Sequence, residues 1–343
     1  MSGERLRLGF AGLGWIGRHR MAAVLEEPHA VVAALCEPNP EALAEAHALV
    51  PAAKCVSSFA ALLEEPLDAL VIATPSALHA EQALAALERG LPVFCQKPLG
   101  RNAAEVERVV RVARERDRAL GLDLSYRRTA AIEALFQRVR SGELGQIFAA
   151  NLVFHNAYGP DKPWFYDPKQ SGGGALMDLG VHLVDLLLWA LDCSDVREVS
   201  SSLYAGGRPL TDRDTQVEDY AAAQLTLGNG TVAQLACSWR AHAGRDCVLE
   251  ASFFGSAGGV SFRNVNGSFY DFETSAFTGT ATRALAAPPD EWGGRTLQAW
   301  LRALAQHRSF DPEAERYVHV ARTLDRIYAA GTAAVPTAQT GGA

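Results

Sequence analysis

Two kinds of apolar pattern alternate over the first third of the chain. Continuous apolar runs at 5–11 (RLRLGFA), 31–36 (VVAALC), 68–74 (DALVIAT), 92–97 (PVFCQK) and 120–125 (LGLDLS), with a shorter one near 54–57, read as buried strands. Between them apolar residues recur at helical spacing, up to about Glu27, then over 40–49, 58–65, 76–90 and 103–117. Strands alternating with helices predict parallel pairing in a doubly wound α/β sheet. From about residue 146 the texture changes. Strand-like stretches follow at 146–156, 196–205, 217–227, 231–240, 247–254, 258–263 and 267–273, with the hairpin signal GNG at 228–230. Strands in succession predict an antiparallel sheet. Two more helices read out over 292–307 and 312–330. The expected division is 1–124 for a dinucleotide-binding Rossmann domain, 125–332 for an α+β substrate and oligomerisation domain, and 333–343 for a mobile tail.

One helical run stands before most of the later strands: SGGGALMDLGVHLVDLLLW, residues 171–189. Leu176, Leu179, Leu183, Leu186 and Leu187 form its apolar stripe, yet Asp178 and His182 lie one turn apart within it. A carboxylate and an imidazole among leucines are costly to bury unless they have a partner or a use. Asp185 in the same run reads as a brace for the helix.

Composition narrows the classes. The chain has 343 residues, 48% hydrophobic and 21% charged, which is globular. A net charge of −7 argues against a nucleic-acid partner, and the arginine-rich run at 108–118 is interleaved with acids, as on a solvated helix face. Six cysteines without CxxC or zinc-site spacing predict reduced thiols and no metal. No stretch approaches the roughly 18 uncharged apolar residues of a spanning helix. The N-terminus lacks a secretory pattern, so no membrane partner and a cytoplasmic location are expected.

Gly12, Gly14 and Gly17 have GxGxxG spacing in the one context that gives it meaning, after a strand and opening a helix. The turn Gly12-Leu13-Gly14-Trp15-Ile16-Gly17 would let a pyrophosphate approach the backbone and the helix N-terminus. Glu37 ends the second strand, 20 residues after Gly17, where a carboxylate accepts from ribose hydroxyls and repels a 2′-phosphate. NAD is therefore expected rather than NADP, with Arg18 as the one nearby cation that would argue otherwise.

Two further stretches complete a pattern. ATPSALHAEQALAALERGLPVFCQKPLG (73–100) carries Thr74-Pro75, His79, Gly90 and Lys97-Pro98. With the glycine turn and GGGALMDLGVHLVD, the chain from about 5 to 330 resembles the Gfo/Idh/MocA oxidoreductases, the family of glucose–fructose oxidoreductase and inositol dehydrogenase. The resemblance implies a Rossmann domain followed by a domain with a large open antiparallel sheet, through which subunits form homodimers or homotetramers. It implies NAD contacts from the glycine turn, Glu37, Thr74, Pro75, His79, Gln96 and Lys97, and a catalytic group of Lys97, Asp178 and His182 facing the nicotinamide. It also suggests a cis Lys97-Pro98 bond. The family's EKP reads QKP here, so Gln96 keeps hydrogen-bonding capacity but loses a charge. Substrate contacts fall on Tyr126 and Arg127 after the last Rossmann strand, and on His155, Asn156, Trp164 and Tyr166 in the aromatic loop before the glycines.

The expected reaction is hydride exchange between a ring secondary alcohol of a sugar, glycoside or cyclic polyol and NAD. A histidine or lysine would take the hydroxyl proton, and an ammonium would stabilise the developing alkoxide. Two rivals have distinct signatures. A glycoside-cleaving enzyme using transient oxidation would retain its cofactor without net NADH. A non-catalytic dinucleotide sensor would be favoured by loss of Lys97 or His182, and both are present.

Overall fold

The computed structural model describes residues 5–290 and 292–333. Its elements run β1 (Leu6–Ala11), α1 (Trp15–Leu25), β2 (Ala30–Cys36), α2 (Pro40–Leu49), β3 (Lys54–Val56), α3 (Phe59–Leu62), β4 (Ala69–Ile72), α4 (Ser76–Glu88), β5 (Val93–Cys95), α5 (Ala103–Glu115), β6 (Leu120–Leu122), α6 (Ala130–Arg140), β7 (Ile147–Asn156) and α7 (Pro168–Ser171). They continue with α8 (Val181–Leu191), β8 (Val196–Ala205), β9 (Arg208–Pro209), β10 (Tyr220–Leu227), β11 (Val232–Ser238), β12 (Cys247–Gly255), β13 (Gly259–Asn264), β14 (Phe272–Thr278), β15 (Ala281–Ala286), α9 (Arg295–Leu304) and α10 (Glu315–Ala333).

The chain divides into two compact units. The first holds the described residues up to Glu133 together with Pro289–Ala321; the second holds Ala134–Pro288 and the described residues from Arg322. The first unit thus extends past residue 124 to Glu133, and α9 and the start of α10 join it. Leu297, Leu301 and Leu304 form one helical stripe that packs with Leu6, Leu8, Phe10 and Met21. The sequence period shows that such a stripe is buried, but not against which sheet. Of the tail expected at 333–343, residues 334–343 lie outside the described residues.

In the first unit six parallel strands take the order β3-β2-β1-β4-β5-β6. Both faces are covered: Ala69 and Val71 of β4 belong to one apolar cluster, Leu70 and Ile72 to the other. The order reverses between β1 and β4, the switch point where ligands bind at the carboxyl ends of strands. Local chemistry sets the helix starts. Asn39 accepts from the Glu41 and Ala42 amides ahead of α2, and Asn102 accepts from Glu105 ahead of α5. The Lys97-Pro98 bond is cis.

In the second unit nine strands take the order β15-β14-β13-β12-β7-β11-β10-β8-β9. All pairs are antiparallel except β7 with β11, so the sheet is mixed rather than purely antiparallel. One face is apolar (Ala150, Leu152 and Phe154 on β7; Ala233, Leu235 and Cys237 on β11) and packs against α8. The other face carries small polar residues such as Asn151, Ser200, Ser202, Gln224 and Gln234. The run from 168 to 191 has the length and mean hydropathy of a membrane span, but 83% of its most apolar window is buried in this unit's core.

Several elements differ from expectation. The strand expected at 267–273 begins only at Phe272, because Asn266 and Gly267 take positive φ and Ser268 Oγ accepts from the Tyr270 and Asp271 amides, making a turn. The short strands β9 and β15 and the helices α6 and α7 lie outside the expected elements.

Leu301 is 1% exposed. Leu301→Ala is expected to destabilise the first unit by about 3 kcal/mol, read as a lower urea midpoint. An unchanged midpoint would place α9 outside that core.

Candidate active site

In the first unit the chain leaves β1 through Gly12, whose amide donates to Cys36 O at 3.0 Å and whose φ is +86°. A Cβ on Gly12 would collide with the backbone of Ala73, and one on Gly17 with the Gly12 carbonyl. A Cβ on Gly14 would meet nothing within 4 Å. Two glycines therefore close the turn, while the third borders open space. Gly14 is also the N-cap of α1, with no side-chain cap and no acid in the first turn. The first amides of an uncapped helix suit an anionic ligand, so this turn fits a dinucleotide pyrophosphate. Trp15 is exposed and Ile16 half-buried at the helix start, whereas the Leu13 side chain is buried in the core and only its backbone lines the turn.

Glu37 is drawn to the same turn. Its Oε2 accepts from the Leu13 amide at 2.7 Å and its Oε1 from the Asn39 amide at 2.9 Å. Arg18 donates to Leu13 O at 2.7 Å and pairs with Glu45 at 2.9 Å. Thr74 and Pro75 follow β4, half-buried, with Thr74 Oγ1 donating to Gln82 at 2.7 Å. His79 is 1% exposed, and its ring nitrogens lie 2.7 Å from Pro98 O and 2.6 Å from Thr74 O. It lies between the two turns, with a ring nitrogen at a backbone carbonyl of each. Burial pushes its pKa down.

Lys97 is half-buried just after β5. Beside it Gln96 Nε2 donates to Asp123 Oδ2, which also accepts from Arg20 Nε at 2.5 Å. Arg20 and Asp123 are each 1% exposed. Tyr126 is buried with its ring 6.0 Å from Trp292, which makes it a packing residue of this unit; Arg127 is half-buried on the turn that follows β6.

The second unit explains the triple glycine. Gly172 ends α7 with φ +83°. A Cβ on Gly173 would collide with the Tyr328 hydroxyl, and one on Gly174 with the Glu218 carbonyl. The chain can thus press against Glu218, which is 1% exposed. Glu218 Oε1 accepts from the Gly174 amide at 3.0 Å, the Leu176 amide at 2.8 Å and the Tyr328 hydroxyl at 2.9 Å. Burial pushes the Glu218 pKa up, against hydrogen bonds that pull it down.

The anchored segment opens with a π-helical turn, Leu176–Gly180, before α8. Asp178 lies in that turn, so its spacing to His182 is not that of a regular α-helix. Trp239 Nε1 donates to Asp178 Oδ2 at 3.0 Å, which gives the carboxylate a partner. His182 is 5% exposed, its ring 6.4 Å from Phe154. Asp185 is buried further along α8.

Strand alternation separates two residues expected together. Asn156 shares the face of Phe154 and Leu152, and its Oδ1 is buried without a hydrogen-bond partner among the described residues. His155 points to the opposite face, stacked on Tyr220 at 6.1 Å and 2.7 Å from Ser238 Oγ. The aromatic loop does reach the Asp178 region. Tyr166 and Phe165 meet Trp239 edge-on at 5.5 and 6.3 Å, and Trp164 stacks on Phe165 at 3.8 Å. Sequence reasoning missed Trp239, Glu218, Tyr328, Arg20 and Asp123. The last two left a trace, as charges on the buried face of α1 and in the apolar run LGLDLS. The first three are distant in sequence from what they hold.

Comparison with known proteins agrees with this architecture. The family model described as the oxidoreductase family, NAD-binding Rossmann fold, matches residues 6–124, and the GFO/IDH/MocA C-terminal domain matches 132–261. Levoglucosan dehydrogenase of Pseudarthrobacter phenanthrenivorans is 25% identical over 76% of this chain and 74% of its own. Inositol 2-dehydrogenase of Acidiphilium cryptum is 32% identical over 54% of each chain. A solved levoglucosan dehydrogenase in complex with NADH and L-sorbose superposes with a TM-score of 0.81 at 22% identity, covering 96% of this chain and 97% of that one.

Because Gly14 borders open space, Gly14→Val is expected to leave the melting temperature near native while weakening NAD binding about tenfold or more. Gly12→Ala should instead lower stability, since φ is positive and the Cβ has no room. Calorimetry of both variants separates the two effects. Glu218 binds its proton more tightly folded than unfolded, so its ionisation makes stability fall as pH rises from the ordinary glutamate range through the raised folded value. Glu218→Gln keeps the acceptor and should flatten that slope. Glu218→Ala strands three donors and should cost about 3 kcal/mol in urea denaturation. A Gln variant as unstable as the Ala variant would remove the hydrogen-bonding account.

Proposed function

The chain belongs to the Gfo/Idh/MocA oxidoreductase family, and on that footing we propose that it is an NAD-dependent dehydrogenase acting on a ring secondary alcohol of a sugar, glycoside or cyclic polyol, with Lys97, Asp178 and His182 as its catalytic group. The observation that carries the reading is the polar pair on the core helix. In a segment dominated by aliphatic side chains, Asp178 is held by Trp239 and His182 follows four residues on, and Glu218 anchors the start of that segment. Packing alone gives no reason to place these groups there.

Bound NAD supplies the hydride acceptor. The remaining work falls to the chain's own residues. The uncapped start of α1 and the space at Gly14 receive the pyrophosphate. Glu37 serves the adenosine ribose and disfavours a 2′-phosphate, and Arg18 is committed to Leu13 O and Glu45. When the alcohol carbon gives up hydride, its hydroxyl proton passes to His182 or Lys97, the two groups able to accept it, and a ketone forms. An ammonium at Lys97 stabilises the developing alkoxide, and Asp178 orients the imidazole or a neighbouring hydroxyl. Asn156 Oδ1, buried and unpartnered, suits a substrate hydroxyl, and Trp164 and Tyr166 offer faces to a sugar ring. The small polar residues on the uncovered sheet face suit association into a homodimer or homotetramer.

An NAD-reduction screen over monosaccharides, inositols and glycosides tests the reading. Lys97→Ala and His182→Ala are expected to bind NAD yet lose kcat by roughly 100-fold or more. A near-native rate in either variant removes that residue from the mechanism, and no NADH from any polyhydroxylated ring overturns the substrate class.

A further inference from the structure

The residue before Lys97 rests on a buried charge pair. Asp123 follows β6, Arg20 lies on the buried face of α1, and Gln96 follows β5. Asp123 Oδ2 accepts both Arg20 Nε and Gln96 Nε2. Arg20 is held in turn by His19 Nδ1, 3.0 Å from its NH1 nitrogen, and by the Trp292 ring, 4.9 Å from its guanidinium carbon.

The geometry points to a positioning role for this pair: Arg20 and Asp123 fix the Gln96 amide in one orientation, with Nε2 turned inward and Oε1 presented as an acceptor for a hydroxyl of the dinucleotide. This rests on the NAD reading above. The two ends of an amide are nearly equal in shape, so the surroundings decide which faces which. A carboxylate only accepts hydrogen bonds, and turning Oε1 toward it would set acceptor against acceptor. Asp123 Oδ1 is itself buried with no partner among the described residues, so the amide N–H on Oδ2 matters more to that charge. A glutamate at 96 would set a second carboxylate against Asp123, and the two could not both ionise cheaply. Glutamine where the family resemblance expects glutamate is therefore the neutral donor that Asp123 requires.

The titratable groups around the pair are Arg20 and His19 from α1, Cys95 from β5, and Lys97 next in the chain. The test is NAD affinity by calorimetry, with the melting temperature, across pH for the wild type, Gln96→Glu, Asp123→Asn and the double variant. In Gln96→Glu a protonated carboxyl can donate to Asp123 as the amide does, whereas an ionised one is repelled. NAD affinity should therefore fall about tenfold between roughly pH 6 and pH 8.5. Asp123→Asn alone leaves Arg20 buried without its counter-charge and should melt lower. The double variant exchanges amide and carboxylate, so it should melt higher than Asp123→Asn, bind NAD within about threefold of wild type and lose the pH dependence. A Gln96→Glu variant whose affinity is flat with pH, or a double variant no better than Gln96→Glu at high pH, overturns the positioning role. A wild-type chain that binds no NAD at any pH overturns the NAD reading instead.

Discussion

A carboxylate almost without access to water holds the start of an apolar core segment that carries an aspartate and a histidine. Glu218 is costly to bury on its own. Three donors converge on one of its oxygens, two of them amides at the opening of the segment that carries Asp178 and His182. They can converge because residues 173 and 174 have no side chain to keep the backbone away from Tyr328 and Glu218. The glycine run, the buried acid and the tyrosine from α10 are thus one device. It holds the opening of the segment whose π-turn carries Asp178.

The first unit uses polar side chains in the same way, to fix turns at the carboxyl edge of its sheet. His79 joins the turn after β4 to the turn that carries Lys97, Glu37 joins β2 to the glycine turn, and Asp123 joins β6 to Gln96 and α1. The bonds of His79 and Glu37 and the Asp123–Gln96 bond link strand ends that are neighbours in the sheet order, and Arg20 adds a tie to α1. A cofactor-binding edge needs rigid turns, because a ligand that must order them itself loses affinity to that ordering. Polar residues at this edge can hold turns, as the ring nitrogens of His79 do with the carbonyls of Thr74 and Pro98.

What was legible in the chain follows the range of the forces involved. The Rossmann strands and helices were readable because each carries its own periodicity and its own caps, as Asn39 and Asn102 do. The strand placed at 267–273 was misread because a hydroxyl bonding to nearby amides overrode an apolar pattern. Asn156 and His155 are adjacent letters with similar chemistry, and only the direction of the strand's alternation put one beside Phe154 and the other against Tyr220.

By itself the sequence determined the two classes of architecture, the glycine turn with its acidic partner 20 residues on, and the presence of an aspartate and a histidine where a helix core should be aliphatic. These are local statements, written in periods of two and 3.6 residues and in short spacings. The tertiary structure decided that Trp239 partners Asp178, that Glu218 and Tyr328 anchor the glycines, that Asp123 and Arg20 stand behind Gln96, and that α9 covers the first sheet rather than the second. Those pairings link residues tens to hundreds of positions apart. No local pattern encodes them, since they exist only once burial has removed water as the alternative partner.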